Sequence, residues 1–319
     1  MSRLPCVACL ASGQRELIYT WSGMARFGKA LVALALQPAD SELVSYVANL
    51  REMGVVGGVS LVHVDEHATV GLQDRWKEAS TRICGLLRGG ISPDDVTSHL
   101  VEGSRADKLL AFSTVHRNDL ILLGHLTSHN PRRSLARRLA MKAPCSVWLV
   151  PQGSPTRISG IIAPVDLSAR SGDSLREAIT IAKRAGLNEV TALHVCFDPT
   201  VVTYADRHAK AIHTDRNELN SFLESFEGEG IRIVPYSIEE ASVAHAIHRV
   251  CKERAIDLIV MGTRGRSRAA AVLLGSETEQ TLIESKIPIL AVKHFGARRG
   301  LLDVLLDERM REREELKFG

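Results

Sequence analysis

Apolar residues gather along this chain in short, near-continuous runs, each followed by a longer stretch where they recur at helical spacing. The rhythm is clearest in the C-terminal half. Ile158–Val165 is an apolar run closed by turn chemistry, after which Leu175, Ala178, Ile179, Ala182 and Ala185 recur three or four residues apart. Gly186 then stands where a helix ends. Glu189–Cys196 reads as a second buried strand, 206–227 as a long polar periodic segment, and Ile231–Tyr236 as a third strand. Ala241–Arg254 reads as a helix, Asp257–Met261 as a strand, Glu277–Ser285 as a helix and Ile287–Val292 as the closing strand. Strands near 30–36, 58–64, 96–101, 119–123 and 145–150 give the N-terminal half the same order. Apolar strands alternating with amphipathic helices imply parallel sheets covered on both faces, wound by right-handed crossovers. The pattern predicts an α/β fold of two tandem, doubly wound, parallel five-stranded sheets, with ligands at the carboxyl ends of the strands.

The two halves are copies of one unit. Ser60-Leu-Val-His-Val64 returns as Thr191-Ala-Leu-His-Val195, and Asp119-Leu-Ile-Leu-Leu-Gly124 as Asp257-Leu-Ile-Val-Met-Gly262. Pro144-Cys-Ser-Val-Trp-Leu-Val150 is aligned with Pro288-Ile-Leu-Ala-Val-Lys293. A period this long means duplicated domains, because solenoid repeats run about 20–50 residues. The expected division is an N-terminal extension 1–23, a first unit 24–151, a linker at 152–156, a second unit 157–296 and a charged helical tail 297–319.

Composition removes several classes of function. The 319 residues carry a formal net charge of +3, too little to make nucleic acid or an anionic membrane the main partner. Aromatics are 4% of the chain, which argues against a stacking platform for single strands. No apolar run reaches the ~20 residues of a membrane span. Cys84, Cys145, Cys196 and Cys251 sit in apolar segments as small buried hydrophobes, a usage that fits a reducing cytoplasm. Cys6 and Cys9 lack a second pair to complete a metal site, and 1–23 reads as a flexible extension.

The candidate chemistry lies after the strand that ends at Met261. Gly262, Gly265 and Gly275 punctuate the segment Met261-Gly-Thr-Arg-Gly-Arg-Ser-Arg268 and its continuation to Leu274-Gly-Ser276. Glycine lets backbone approach a ligand closely. Ser276 and Thr278 open the next helix, whose free N–H groups favour an anion. Arg264, Arg266 and Arg268 add positive charge, with Met261 and Thr263 flanking the first glycine. Gly262-x2-Gly265-x9-Gly275-Ser276 resembles the ATP loop of the universal stress protein family, and the resemblance spans roughly 26–296 as a tandem member. It implies a Rossmann-like, adenine nucleotide alpha hydrolase-like fold. It also implies that Pro164, Val165, Asp166 and Val195 contact adenosine, while the glycines and Ser276 hold ribose and phosphates. ATP, with or without magnesium, is the cofactor so implied. Glu239 and Glu240 depart from the family, which often has Gly and Pro there.

The first unit departs further. His125-Leu-Thr-Ser-His-Asn-Pro131 follows Gly124 without further glycines, the loop is about six residues shorter, and Ala33–Gln37 holds no acid. This unit is expected not to bind ATP in the family manner and to serve as the built-in dimer partner of the second. Arg132, Arg133, Arg137 and Arg138 form a basic cluster, read first as a solvated helix face and otherwise as a site for an anion or acidic partner. Gly23-Met-Ala-Arg-Phe-Gly-Lys29 looks like a phosphate loop but precedes a strand and has Ala30 where Ser or Thr is needed. His63 and His194 recur at equivalent positions and read as fold elements; His245 and His248 share a helix face that reads as solvated. The family resemblance implies an ATP-binding regulatory module of the stress response, acting on an unidentified protein partner, as an intramolecular pseudo-dimer with or without further homodimerisation. A slow ATPase or phosphoryl-transfer enzyme, disfavoured by the lack of a recognisable base or magnesium ligand, and a nucleotide-independent scaffold are the alternatives.

Overall fold

A computed structural model describes residues 25–87, 95–125, 135–196, 216–226, 228–263 and 276–293. The expectations for 1–23 and 297–319 lie outside the described residues. The first unit runs β1 (Phe27–Leu34), α1 (Asp40–Glu52), β2 (Val56–Asp65), α2 (Leu72–Leu87), β3 (Val96–Glu102), α3 (Arg105–Val115), β4 (Leu120–His125), α4 (Leu135–Lys142) and β5 (Ser146–Pro151). The second runs β6 (Ile161–Pro164), α5 (Ala169–Arg184), β7 (Glu189–Cys196), helical residues 216–224 as α6, β8 (Arg232–Glu239), α7 (Val243–Glu253), β9 (Leu258–Gly262), α8 (Ser276–Glu284) and β10 (Ile289–Val292).

Each half is a parallel sheet of five described strands that alternate with helices along the chain as expected, and the two meet edge to edge as one ten-stranded sheet, β3-β2-β1-β4-β5-β10-β9-β6-β7-β8. The seam is antiparallel, pairing Leu149 with Ile289, Trp148 with Leu290 and Val147 with Ala291. Helices α1, α2, α5 and α6 bury their apolar residues on one face, and α3, α4, α7 and α8 on the other. Both apolar layers run across the seam, which is why the strands on either side of it, β5 and β10, are buried at every position.

The repeat extends to backbone and hydrogen bonds. His63 Nδ1 lies 2.8 Å from Leu34 O, and His194 Nδ1 lies 2.8 Å from Val165 O, so the paired histidines tie one strand end to the next. Asp119 accepts from the amides of Gly28 and Lys29, and Asp257 from those of Ser159 and Gly160, clamping the start of each central strand. Leu36 and Leu167 (φ 56° and 61°) turn the chain out of β1 and β6, and Arg117 and Ala255 (both φ 52°) turn it into β4 and β9.

Strand register corrects one alignment. Leu31 lies between Ser60 and Ile121, and Ile162 between Thr191 and Ile259. Ile121 then faces Val147, whereas Ile259 faces Ile289, so Val147 corresponds to Ile289 and Trp148 to Leu290. Matching Pro144 to Pro288 was two residues out. A shift of two keeps every side chain on its own sheet face, so the apolar pattern alone does not expose it. The loop comparison changes with it: nine residues separate β4 from α4 and thirteen separate β9 from α8, a shortfall of four and not six.

Candidate functional site

In the second unit the chain passes from β6 outward to β7 and β8, then returns to the other side of β6 as β9. That reversal leaves a crevice beyond the carboxyl ends of β6 and β9, the usual ligand position in open α/β sheets. Pro164 ends β6 and Gly262 ends β9; both are partly exposed, as are Asp166 and Val195. Val165, Met261 and Thr263 are 4–5% exposed, with Val165 packed in one apolar layer and Met261 in the other.

Local chemistry fixes each strand end. Val165 N donates to Leu193 O at 2.8 Å, which keeps β6 against β7 to its last turn. The backbone then reverses at Leu167, and Asp166 Oδ1 accepts from Ser168 N at 3.1 Å and from Ser168 Oγ at 2.5 Å. Ser168 is also the N-cap of α5, accepting from Ser171 N at 3.3 Å. Asp166 is thus positioned by the residue that starts the helix. The spacing Asp-x-Ser after an apolar run is the sequence signal for this turn, and Ser168 is the residue that motif reading passed over.

On the other wall, Thr263 N donates to Val292 O at 3.1 Å and Thr278 Oγ1 donates to Gly262 O at 2.9 Å. Thr278 is 5% exposed, so its hydroxyl ties the first turn of α8 to the end of β9. Ser276 opens α8, placing that helix's N-terminal amides beside the same strand end. Arg264, Gly265, Arg266, Arg268 and Gly275 lie outside the described residues. Glu239 and Glu240, where the family pattern departs, complete a regular entry to α7: Glu240 N donates to Cys196 O, Ser242 caps the helix, and Glu240 pairs with Arg249 at 3.4 Å. His245 lies 3.7 Å from the same carboxylate. Burial holds the His248 imidazole below its ordinary value, with Glu284 pulling the other way.

The equivalent crevice of the first unit has a different lining. Ala35 stands where Asp166 does, Val64 where Val195 does, and Gly124 where Gly262 does. Ala35, Gln37, Asp40, Glu42, Gly124 and Pro151 border a small open pocket there. Asp40, the first residue of α1, reaches back to accept from Ala35 N and Gln37 N, each at 3.2 Å. Glu42 accepts from Gly153 N at 2.7 Å, which brings the linker against the pocket. Motif reading looked for an acid on the strand end and missed this one, which arrives from the helix.

Among the described residues no group of three or more His, Cys, Asp or Glu is placed to hold a metal ion. No described helix is long and apolar enough to cross a membrane. The four described cysteines are free thiols, three of them buried.

A model of the Universal stress protein family matches residues 159–293. A universal stress protein of Methanocaldococcus jannaschii is 30% identical over 139 residues, covering 42% of this chain and 81% of that protein. One of Bacillus subtilis is 25% identical over 147 residues, covering 42% of this chain and 97% of that protein. Among solved structures, a universal stress protein from Archaeoglobus fulgidus superimposes over 86% of this chain and 98% of its own, with a TM-score of 0.67 at 15% identity.

Proposed function

The chain belongs to the universal stress protein family, and we propose that it is a cytoplasmic ATP-binding regulatory module with one nucleotide site, in residues 157–296. The observation behind this reading is the contrast at one topological point. In the second unit a strand-end carboxylate, Asp166, stands across from a glycine-ended strand and the N-terminus of α8. A carboxylate at that position can accept from ribose or base hydroxyl and amino groups, while helix amides and the arginine-bearing loop 264–275 receive phosphates. In the first unit the same point holds Ala35, two further carboxylates and the linker, a combination that repels phosphate. Residues 24–151 then act as the built-in partner of the nucleotide half.

Adenine nucleotide, extracted from the purified chain and identified by chromatography, tests the reading directly. Gly265→Asp, which sets bulk and negative charge in the phosphate loop, is expected to abolish ATP binding by calorimetry. Unchanged affinity in that variant refutes the site. The module is read as regulatory, acting on an unidentified protein partner, so bound ATP should not turn over above buffer background. Turnover that vanishes with Gly265→Asp would replace this reading with a slow ATPase; no bindable nucleotide would leave a scaffold.

A further inference from the structure

A symmetric dimer places each residue near its axis against its own copy. In this chain the seam between β5 and β10 has that geometry, because Trp148 and Leu290 hold equivalent register positions and pair with each other. The same offset runs through the preceding helices. Ala136, Leu139, Ala140 and Ala143 are buried in and after α4, and Thr278, Thr281, Leu282 and Ser285 are buried at the corresponding positions of α8. By that correspondence Arg137 and Glu279 are equivalents, and they too meet each other. Arg137 Nε donates to Glu279 Oε1 and Nη2 to Oε2, with both side chains about three-quarters buried at 26% and 28% exposure.

Both self-facing positions have therefore diverged into unlike, complementary residues: large against smaller, cation against anion. Among the described residues a further contact across the seam is made on one side. Arg26 of the first unit pairs with the buried Glu177 of α5. The burial patterns of α1 and α5 set Tyr46 where Glu177 stands, so the reciprocal contact has no carboxylate.

We propose that this face is heterotypic: it accepts the other half of its own chain and rejects the equivalent face of a second copy. Pairing two first units would set Arg137 against Arg137 and Trp148 against Trp148. Pairing two second units would set Glu279 against Glu279. Like charges held together away from water are repulsive, and two indoles overfill a space shaped for one. Specificity of this kind needs the repulsive element as well as the attractive one. The inference stands on the seam alone and does not depend on nucleotide binding.

Unfolding midpoints of four full-length variants test it against wild type. Glu279→Arg recreates the Arg–Arg contact, Arg137→Glu recreates Glu–Glu, R137A/E279A removes both charges, and R137E/E279R exchanges them. Each like-charged variant is expected to melt below the neutral double by roughly 2–4 °C, with the exchanged double returning toward wild type. Raising the salt should narrow the gap between like-charged and neutral variants. If one like-charged variant gives no folded protein while the exchanged double folds, that also supports rejection. Like-charged variants as stable as the neutral double, or an exchanged double no better than the single reversals, would overturn it.

Discussion

Two crevices occupy the same point of the same topology in this chain, and they differ in where their carboxylates come from. In the second unit Asp166 is a strand-end residue held from behind by Ser168, at the mouth formed by β6, β9 and α8. In the first, Asp40 arrives from the helix and takes the amides of Ala35 and Gln37 for itself, while Glu42 fixes the linker at Gly153. An acid at a sheet's switch point is therefore ambiguous by itself. Both acids secure the turn that follows their strand, and the first crevice differs in adding Glu42, which ties the linker to the helix.

The comparison breaks most visibly if both crevices bind. One ATP per chain is expected by calorimetry, and Asp166→Ala should weaken binding by roughly 10- to 100-fold, the range for losing a hydrogen bond to a charged group. Ala35→Asp should leave the stoichiometry at one, since Asp40, Glu42 and the linker still border the pocket. A second site in wild type, or one created by Ala35→Asp, would erase the distinction.

A smaller difference concerns acid. His99 and His116 of the first unit lie 5.5 Å apart ring to ring, where the second unit has Tyr236 with Arg254 over its ring at 5.7 Å. Burial holds both imidazoles below their ordinary value, helped by the charge of His116 on His99 and of Lys29 on His116. A histidine whose folded pKa is lowered is protonated first in the unfolded chain. Stability should thus be level above the ordinary value of 6.5 and fall as the pH drops below it toward the folded values. Transplanting the second unit's pair, as His99→Tyr with His116→Arg, should flatten the fall in melting temperature between about pH 7.5 and about pH 5.5. The similarly lowered His248 would leave a residual slope. An unchanged slope would show that the pair does not titrate on unfolding.

The smallest effect should be the same in both halves. Arg117 and Ala255 are exposed and share φ 52°, a conformation that costs L-residues about 1–2 kcal/mol against glycine's entropic loss of about 0.5–1. Arg117→Gly and Ala255→Gly should each add about 0.5 kcal/mol by chemical denaturation. A gain in only one would mean the turns are less alike than their backbones.

Much of this architecture was legible in the sequence, because strands buried on both faces must be continuously apolar and their helices cannot be. Ser60–Val64 and Thr191–Val195 fall in β2 and β7, and Asp119 and Asp257 fall just before β4 and β9, as their spacing required. The seam was less legible. A ladder between two apolar strands uses backbone groups every residue has, so nothing in Val147 or Leu290 announces its partner. Register also slipped by two at Pro144, where periodicity is blind. At the candidate site, the ends of the apolar strands were legible, since Pro164 and Gly262 close β6 and β9. Long-range side-chain bonds such as Glu42 to Gly153 needed the folded backbone, since 111 positions separate the two residues.

The antiparallel seam also bears on self-association during synthesis and storage. Two separate five-stranded sheets would present four edge strands, whereas the joined sheet of described strands presents two, β3 and β8. The edges removed are the most hazardous, because Ser-Val-Trp-Leu-Val in β5 and Ile-Leu-Ala-Val in β10 are short, uncharged and rich in β-forming residues. The edges left are poorer templates. Thr97, Ser98 and His99 make the middle of β3 polar, and Pro235 withholds an amide from β8. By closing on itself, the duplicated chain hides its own aggregation-prone segments within one polypeptide, with no need to meet a second.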